Sequence, residues 1–234
     1  MITVVIPTYN EAPNLTKLID ELFSLNIKNL NLIIIDDASP DGSALIAKQL
    51  AKKYVGNIKV IERHKKLGLG TAYIIGFIEA LKAGAKRIIQ MDADLSHSPK
   101  YIPVFLEILE EYDVVIGSRY VKQGSYDPSY IYHRKLLSLI GNIYIKLVTR
   151  ISIKDATSGF KGFTRAAIES LNLSQFQCIG YAFQVEMAYK CHQKELKVFE
   201  YPIKFLPRAE GNSKMSIQIV IEALFKILLI RLRS

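Results

Sequence analysis

The sequence predicts an α/β fold: an open, mostly parallel sheet sandwiched by helices. Three observations lead there. Short β-branched runs recur at Thr3 to Pro7, Asn31 to Asp36 and Lys86 to Met91, the segments between them carry helical periodicity, and each run ends abruptly in polar residues. Short strands alternating with longer helices are the βαβ rhythm of a parallel sheet, whose strands are buried on both faces and read as continuous apolar runs.

The elements follow in order. After the first strand, a helix starting near Ala12 or Pro13 aligns Leu15, Leu18, Ile19 and Leu22 on one face. After the second, a helix runs from about Asp41 through Leu45, Ile46 and Leu50. A strand at Lys59 to Glu62 leads into the loop Lys66-Leu67-Gly68-Leu69-Gly70 and a helix from Thr71 to Ala83. The third run is joined by another buried strand at Asp113 to Gly117. Beyond Tyr120 the rhythm loosens into a Gly/Ser/Tyr/Pro-rich stretch, Gly124 to Tyr132, then a helical segment from His133 to about Arg150 and a loop from Asp155 to Gly162. With no internal repeat or linker, residues 1–215 read as one catalytic domain. Residues 216–234 read as a terminal helix, apolar except for Gln218, Glu222, Lys226, Arg231 and Arg233. Glu222 and Lys226 share a face, so this helix either packs as a core element or is amphipathic and lies on a membrane surface.

Composition narrows the function. A chain of 234 residues is long enough for one large core. It is 50% hydrophobic with a mean hydropathy of +0.15, on the apolar side for a freely soluble protein, yet no stretch is uninterrupted enough to span a bilayer. The net charge of +9 favours anionic partners. Nucleic acid is excluded among these, because the lysines are scattered and there is no basic-aromatic stripe or recognition helix. The start, MITVVIPTYNEAPN, lacks the features of a signal peptide, which places the chain in the cytoplasm. Cys178 and Cys191 have no zinc or redox spacing and read as free structural thiols.

In open parallel sheets ligands sit beyond the carboxyl ends of the strands, so Pro7-Thr8-Tyr9-Asn10-Glu11, Asp36-Asp37 and Asp92-Ala93-Asp94 converge on one crevice. Asp92 and Asp94 put two hard oxygen ligands on a strand-to-loop turn, where they could hold Mg²⁺ or Mn²⁺ against a diphosphate. A capping or solvated-turn role is the alternative for such a pair; here the apolar strand that ends in it favours a bound cation, which would relieve the repulsion. Asp37 could accept from a nucleotide base or from ribose hydroxyls, while Pro40, Asp41 and Gly42 are explained by a turn. Glu11 could hold the ribose or cap the following helix. Arg119, Arg134, Arg208 and Lys214 are the cations to assign to phosphates. Of the four histidines only His97 lies near the acidic motif, and no pair has metal-ligand spacing.

The ordered set VVIPTYNEAPNL, IIIDDASPDGS, GLGTAY, QMDADLSHSP, VIGSRY, RKLLSLIGN, DATSGFKGF and RAEGNSK resembles the dolichyl-phosphate and polyprenyl-phosphate mannose synthases of the family 2 glycosyltransferases, over nearly the whole chain. The resemblance implies a GT-A (Rossmann-like) fold, GDP-mannose as donor, dolichyl or polyprenyl phosphate as acceptor, Mg²⁺ or Mn²⁺, and inversion at the anomeric carbon. It assigns Pro7, Tyr9, Glu11, Ile35 and Asp37 to the nucleoside pocket and Asp92, Ala93 and Asp94 to the metal-diphosphate centre. Arg119, Arg134, Arg208 and Lys214 become the phosphate-handling cations. Ser96 stands where some relatives carry Gln, a better oxygen ligand. Longer relatives carry transmembrane helices, which leaves docking on the cytoplasmic face of a membrane to the terminal helix here or to a small membrane-anchoring subunit. A UDP-glucose-dependent polyprenyl-phosphate glucose synthase is the closest alternative, and a non-catalytic nucleotide- or lipid-binding subunit a more distant one. Processive polysaccharide synthases carry an arginine-tryptophan pair in their signature, and this chain has no Trp.

Overall fold

A computed structural model of the chain describes residues 1–210 and 217–232, without the side chains at positions 133, 134 and 217–222. β1 (Ile2–Thr8) pairs in parallel with β2 (Leu30–Asp36) on one side and with β4 (Arg87–Gln90) on the other, and β3 (Ile58–Glu62) adds in parallel outside β2. The connections are α1 (Ala12–Ser24), α2 (Ser43–Lys53) and α3 (Leu69–Lys82). These are the βαβ units the sequence predicts, and α1 buries the expected Leu15, Leu18, Ile19 and Leu22.

The strand order of the main sheet is β3-β2-β1-β4-β7-β5-β8. Beyond β4 lie α4 (Ile102–Ile108), β5 (Val114–Ser118), the short β6 (Ser125–Tyr126) and α5 (Tyr132–Thr149). β7 (Lys161–Thr164) then inserts antiparallel between β4 and β5. The sequence places a loop through Gly162, whereas the chain already enters β7 at Lys161. A four-residue strand containing glycine shows no alternation long enough to read. α6 (Arg165–Ser170), α7 (Ala182–Gln193), β8 (Val198–Pro202) and β9 (Lys204–Phe205) follow; β8 closes the sheet edge parallel to β5, and β9 pairs with β6.

Because side chains alternate across a strand, the sheet divides its apolar residues between two layers. Val5, Ile33, Ile35, Ile88, Val114 and Ile116 pack with Tyr73 and Phe77 of α3 and with Phe183 and Met187 of α7. Val4, Ile6, Leu32, Ile34, Ile89 and Val115 pack on the other face with Leu15, Leu18 and Leu22 of α1 and with Phe105 of α4. Both faces are covered, which is why these strands are apolar without interruption.

The terminal helix, α8 (Ile217–Leu232), packs against α5 and α7. Ile227 is buried and the Tyr144 hydroxyl donates to the Leu224 carbonyl at 3.1 Å, while Phe225, Leu228 and Leu232 are exposed. Its described side chains thus turn Ile227 inward and leave Phe225, Leu228, Arg231 and Leu232 exposed. Glu222, on which the expected charged pair depends, lies outside the described side chains, as does the 215/216 boundary outside the described residues. None of the described helices is long and apolar enough to cross a membrane.

Candidate active site

From β1 the chain winds outward through β2 and β3, while β4 joins the opposite side of β1. The carboxyl ends of β1 and β4 thus flank a topological switch point, where the connections diverge and leave a crevice. Glu11 leaves the end of β1, and Asp92 and Asp94 leave the end of β4.

Arg208 closes this crevice. Its Nη1 lies 3.1 Å from Glu11 Oε1 and its Nη2 3.0 Å from Asp94 Oδ2. Backbone pairing puts it there: Leu206 N–H donates to the Ser96 carbonyl at 3.0 Å, and Ala209 N–H to the Asp94 carbonyl at 3.3 Å. Burial pushes the Arg208 guanidinium down, but Asp94 and Glu11 outweigh it and leave it more firmly protonated than usual. The other Asp94 oxygen accepts the Ser96 N–H at 3.0 Å. Ser96 itself is buried and acts on Asp94 through its backbone. Glu11 occupies the N-cap position of α1 without a side-chain capping bond; its Oε2 instead accepts from Asn14 Nδ2 at 2.9 Å.

Asp92 is held differently. Its Oδ1 accepts the Tyr73 hydroxyl at 2.7 Å, and its Oδ2 lies against Gly159, where an added Cβ would come within 2.4 Å. Its side chain keeps 33% exposure, the most open of the site carboxylates. Burial, reinforced by Asp92, pushes the Tyr73 phenol well above its ordinary value, so it stays a donor. His97 is stacked on Phe160 and edge-on to Phe205, with Nδ1 3.9 Å from Asp92 Oδ2, beyond hydrogen-bond distance. Burial pushes its imidazole down, towards the neutral form.

Two carboxylates with different environments suit a divalent ion, since such an ion takes one or two protein carboxylates and completes its shell with phosphate oxygens and water. No group of three or more His, Cys, Asp or Glu side chains placed to hold a metal ion occurs among the described residues, so an ion held by Asp92 and Asp94 would draw further ligands from a diphosphate. Arg208 already sets a cation against Asp94.

Asp37, at the end of β2, accepts the backbone N–H groups of Leu67 at 2.7 Å and Gly68 at 2.8 Å and pairs with Arg63 Nη2 at 2.7 Å. Arg63 Nη1 also donates to Thr71 Oγ1 at 2.6 Å. The latch draws the glycine loop over the ends of β1 and β2. Gly68 has φ +96°, and a Cβ there would stand 2.6 Å from the Ile179 carbonyl, so only glycine fits. Asp36 shapes the neighbouring turn, accepting from Thr8 Oγ1, Ser39 Oγ and Ser39 N–H. Pro7 and Ile35 are paired in register and buried beneath this wall, Ala93 is buried beside the acidic pair, and Lys66 Nζ lies 3.9 Å above the Tyr9 ring.

Arg119 sits apart from the acidic pair in a built socket. Asp155 accepts its Nε–H at 2.7 Å, its Nη2–H at 2.6 Å and its backbone N–H at 2.9 Å, and Thr157 Oγ1 accepts a further Nη2–H at 2.7 Å. Tyr120, Tyr126 and Phe205 surround the guanidinium at 5.1 to 5.4 Å. Burial pushes the guanidinium down, and the Asp155 pair outweighs it. The phosphate-handling cation expected from the sequence thus has an internal counter-ion. Arg134 lies in the first turn of α5 with its side chain outside the described ones, and Lys214 lies outside the described residues.

Sequence reasoning did not single out Arg63, Tyr73, Asp155 or Tyr181. Tyr73 reads as one more apolar position on α3, and Asp155 as a turn residue. Tyr181, whose phenol is pushed up to about 12 by burial and then by Asp92, stands near the acidic pair just before α7.

The doubly wound sheet, with carboxylates and cations gathered at its switch point, has the GT-A architecture. The chain belongs to Glycosyl transferase family 2, whose sequence model matches residues 3–171. It is 35% identical over 225 residues to the polyprenol monophosphomannose synthase of Mycolicibacterium smegmatis, covering 96% of this chain and 84% of that one. It is 34% identical over 226 residues to the undecaprenyl-phosphate mannosyltransferase of Micrococcus luteus, covering 97% and 92%. Among solved structures, glucosyl-3-phosphoglycerate synthase from Mycobacterium tuberculosis, in complex with Mn²⁺, UDP and glucosyl-3-phosphoglycerate, superposes with a TM-score of 0.70 over 100% of this chain and 79% of that one. At 16% identity the match shows the fold alone.

Proposed function

We propose that the chain transfers mannose from GDP-mannose to a polyprenyl phosphate, inverting the anomeric carbon and releasing GDP. The observation that carries this is the Glu11–Arg208–Asp94 bridge beside Asp92, which gathers acidic and basic groups from distant segments at one switch point. The curated relatives support the acceptor and the sugar, being mannose synthases for polyprenyl or undecaprenyl phosphate.

A phosphate acceptor is already anionic at neutral pH, so the site needs no general base to create a nucleophile. What it must do is align two anions and stabilise charge on the departing diphosphate. Asp94 and Asp92 would hold Mg²⁺ or Mn²⁺, which supplies Lewis-acid stabilisation of the leaving group when bound. Arg208, which faces Asp94 and Glu11, turns its donors to the diphosphate, while the Asp37 latch fixes the wall against which the nucleoside lies. Tyr73 keeps the Asp92 carboxylate pointed into the crevice.

A bilayer is where the lipid acceptor resides, and α5 offers a face to it. Leu136, Ile140, Ile143 and Leu147, spaced at helical repeats, are 45 to 74% exposed, and Leu137 and Leu139 beside them, at 44% and 42%, widen the stripe. Phe225, Leu228 and Leu232 of the neighbouring α8 add to the apolar surface. This reading makes the protein peripheral on a membrane, with docking shared between two helices rather than confined to the last one.

The test is a product assay with radiolabelled GDP- and UDP-sugars on short polyprenyl phosphates. A mannosyl-phosphate lipid formed from GDP-mannose is expected; a product formed from UDP-glucose instead overturns the donor assignment.

A further inference from the structure

The proposed chemistry leaves one buried ion unused. Lys161 on β7 is fully buried, opposite Gln90 of β4 and Ile116 of β5. Its Nζ donates to the Ser158 carbonyl and, at 2.8 Å, to Gln184 Oε1 on α7. Gln90 Nε2 donates to the adjacent Gly159 carbonyl at 3.2 Å and to the same Gln184 oxygen. Lys161, Gln90 and Gln184 therefore form a polar platform within an apolar layer, holding two consecutive carbonyls from below. Gln90 Oε1 and Gln184 Nε2 are buried without a partner, so the platform is not saturated with bonds.

The segment it holds touches both halves of the site. Asp155 and Thr157 hold Arg119; Ser158 Oγ donates to the Gly117 carbonyl at 2.7 Å; Gly159 packs on Asp92; Phe160 stacks on His97. A shift of Ser158 and Gly159 would move the Asp92 carboxylate and the Arg119 socket together. An ammonium in an apolar layer is costly unless nearby charge offsets it, and a methionine would fill the space without that cost.

We propose that Lys161 is a positioning residue: its buried cation clamps the 155–160 segment and thereby sets Asp92 and the Arg119–Asp155 pair for sugar transfer. The inference rests on the transfer function proposed above. Burial pulls the ammonium down to about 8; Asp155, Cys191 and Asp92 favour the charged form, and Arg119 opposes it.

Lys161→Met tests this in the full chain, with Lys161→Gln as a neutral variant still able to donate to the Ser158 carbonyl should the first not fold. Wild-type transfer is measured first, so that an inactive wild type counts against the function and not against this inference. The expected result for Lys161→Met is a kcat roughly tenfold to a hundredfold lower, because small misplacements of reacting groups carry that cost. GDP affinity and Tm should be close to wild type, and the fall in kcat expected of wild type above about pH 8 should be absent. A crystal structure of the variant should show Gly159 and Asp92 displaced. Unchanged kcat, a loss of kcat that only follows a fall in Tm, or a variant structure in which Asp92, Gly159 and Asp155 superpose on wild type would each overturn the proposal. The structural arm decides the clamp even if no transfer is detected.

Discussion

Asp155→Asn keeps the shape of a fully buried side chain and removes the charge that faces Arg119, whose own side chain is 10% exposed. In the native protein the carboxylate accepts three N–H groups from Arg119. An amide accepts on one atom only and turns its NH₂ toward a guanidinium that can only donate. Leaving one member of a buried ion pair without its partner costs about 3 to 5 kcal/mol, which for a chain of this length lowers Tm by about 6 to 20 °C. The pH dependence follows from the same pair. Burial alone would push the Asp155 carboxyl up, but Arg119 overrides it and holds the pKa below the ordinary carboxylate range. A depressed pKa stabilises the fold fully above the unfolded value of about 3.9 and ceases to do so as pH falls through the folded value. The gap between wild type and variant should therefore be flat near neutrality and narrow only below about pH 4. Replacing both partners, as Arg119→Met with Asp155→Leu, should recover most of the lost stability without restoring the charge that Arg119 carries. Scanning calorimetry reads all three proteins. An Asp155→Asn protein within about 2 °C of wild type, equivalent to under 1 kcal/mol, would refute the claim that the pair is buried and coupled.

Other outcomes follow from the same geometry. Asp94→Ala should abolish transfer while the protein stays folded, and wild-type activity should require added Mg²⁺ or Mn²⁺; full activity in EDTA would end the metal assignment. Asp37→Ala removes two backbone bonds and an ion pair from the glycine loop, so calorimetry should find GDP bound about tenfold or more weakly, at roughly 1.5 to 3 kcal/mol for each charge-assisted bond. The same variant should narrow a preference for GDP over UDP. Ile140→Glu with Ile143→Glu alters two residues that are 54% and 51% exposed, so Tm should hold while binding to anionic liposomes is lost and GDP affinity is unchanged. Liposome binding that survives this change would place the membrane contact elsewhere.

The first half of the fold is legible because its strands are buried on both faces. Val4, Val5 and Ile6, or Leu32, Ile33, Ile34 and Ile35, can be apolar in succession only if helices cover both sides, and the helical periodicity between them supplies the covers. The second half is less legible. β7 is four residues long and reverses direction, and β8 ends in Pro202 at the sheet edge, where fewer apolar neighbours leave a weaker pattern. The exposed stripe on α5 was hidden for another reason: periodicity reveals that a helix has an apolar face, and not whether that face meets protein or solvent.

The acidic residues of the site are legible for the reason that makes them useful. A carboxylate at the end of an apolar strand has no packing role to explain it, so Asp37, Asp92 and Asp94 stand out. Their supports do not, because each is disguised by its surroundings: Tyr73 lies on an apolar helix face, Lys161 in a strand, and Asp155 in a turn. Physical logic still joins the two sets. Asp92 is held in place because Tyr73 binds one oxygen and Gly159 leaves room for the other, and Gly159 in turn is held where Gln90 binds its carbonyl and Lys161 the one before. Each of these supports spends buried polar groups within an apolar layer, where unmet hydrogen bonds cost about 1 to 3 kcal/mol apiece. A fold that needed only stability would fill those positions with hydrocarbon. Their placement directly beneath Asp92 and the Arg119 socket ties the expense to orientation, which is what a reaction between two anions most requires.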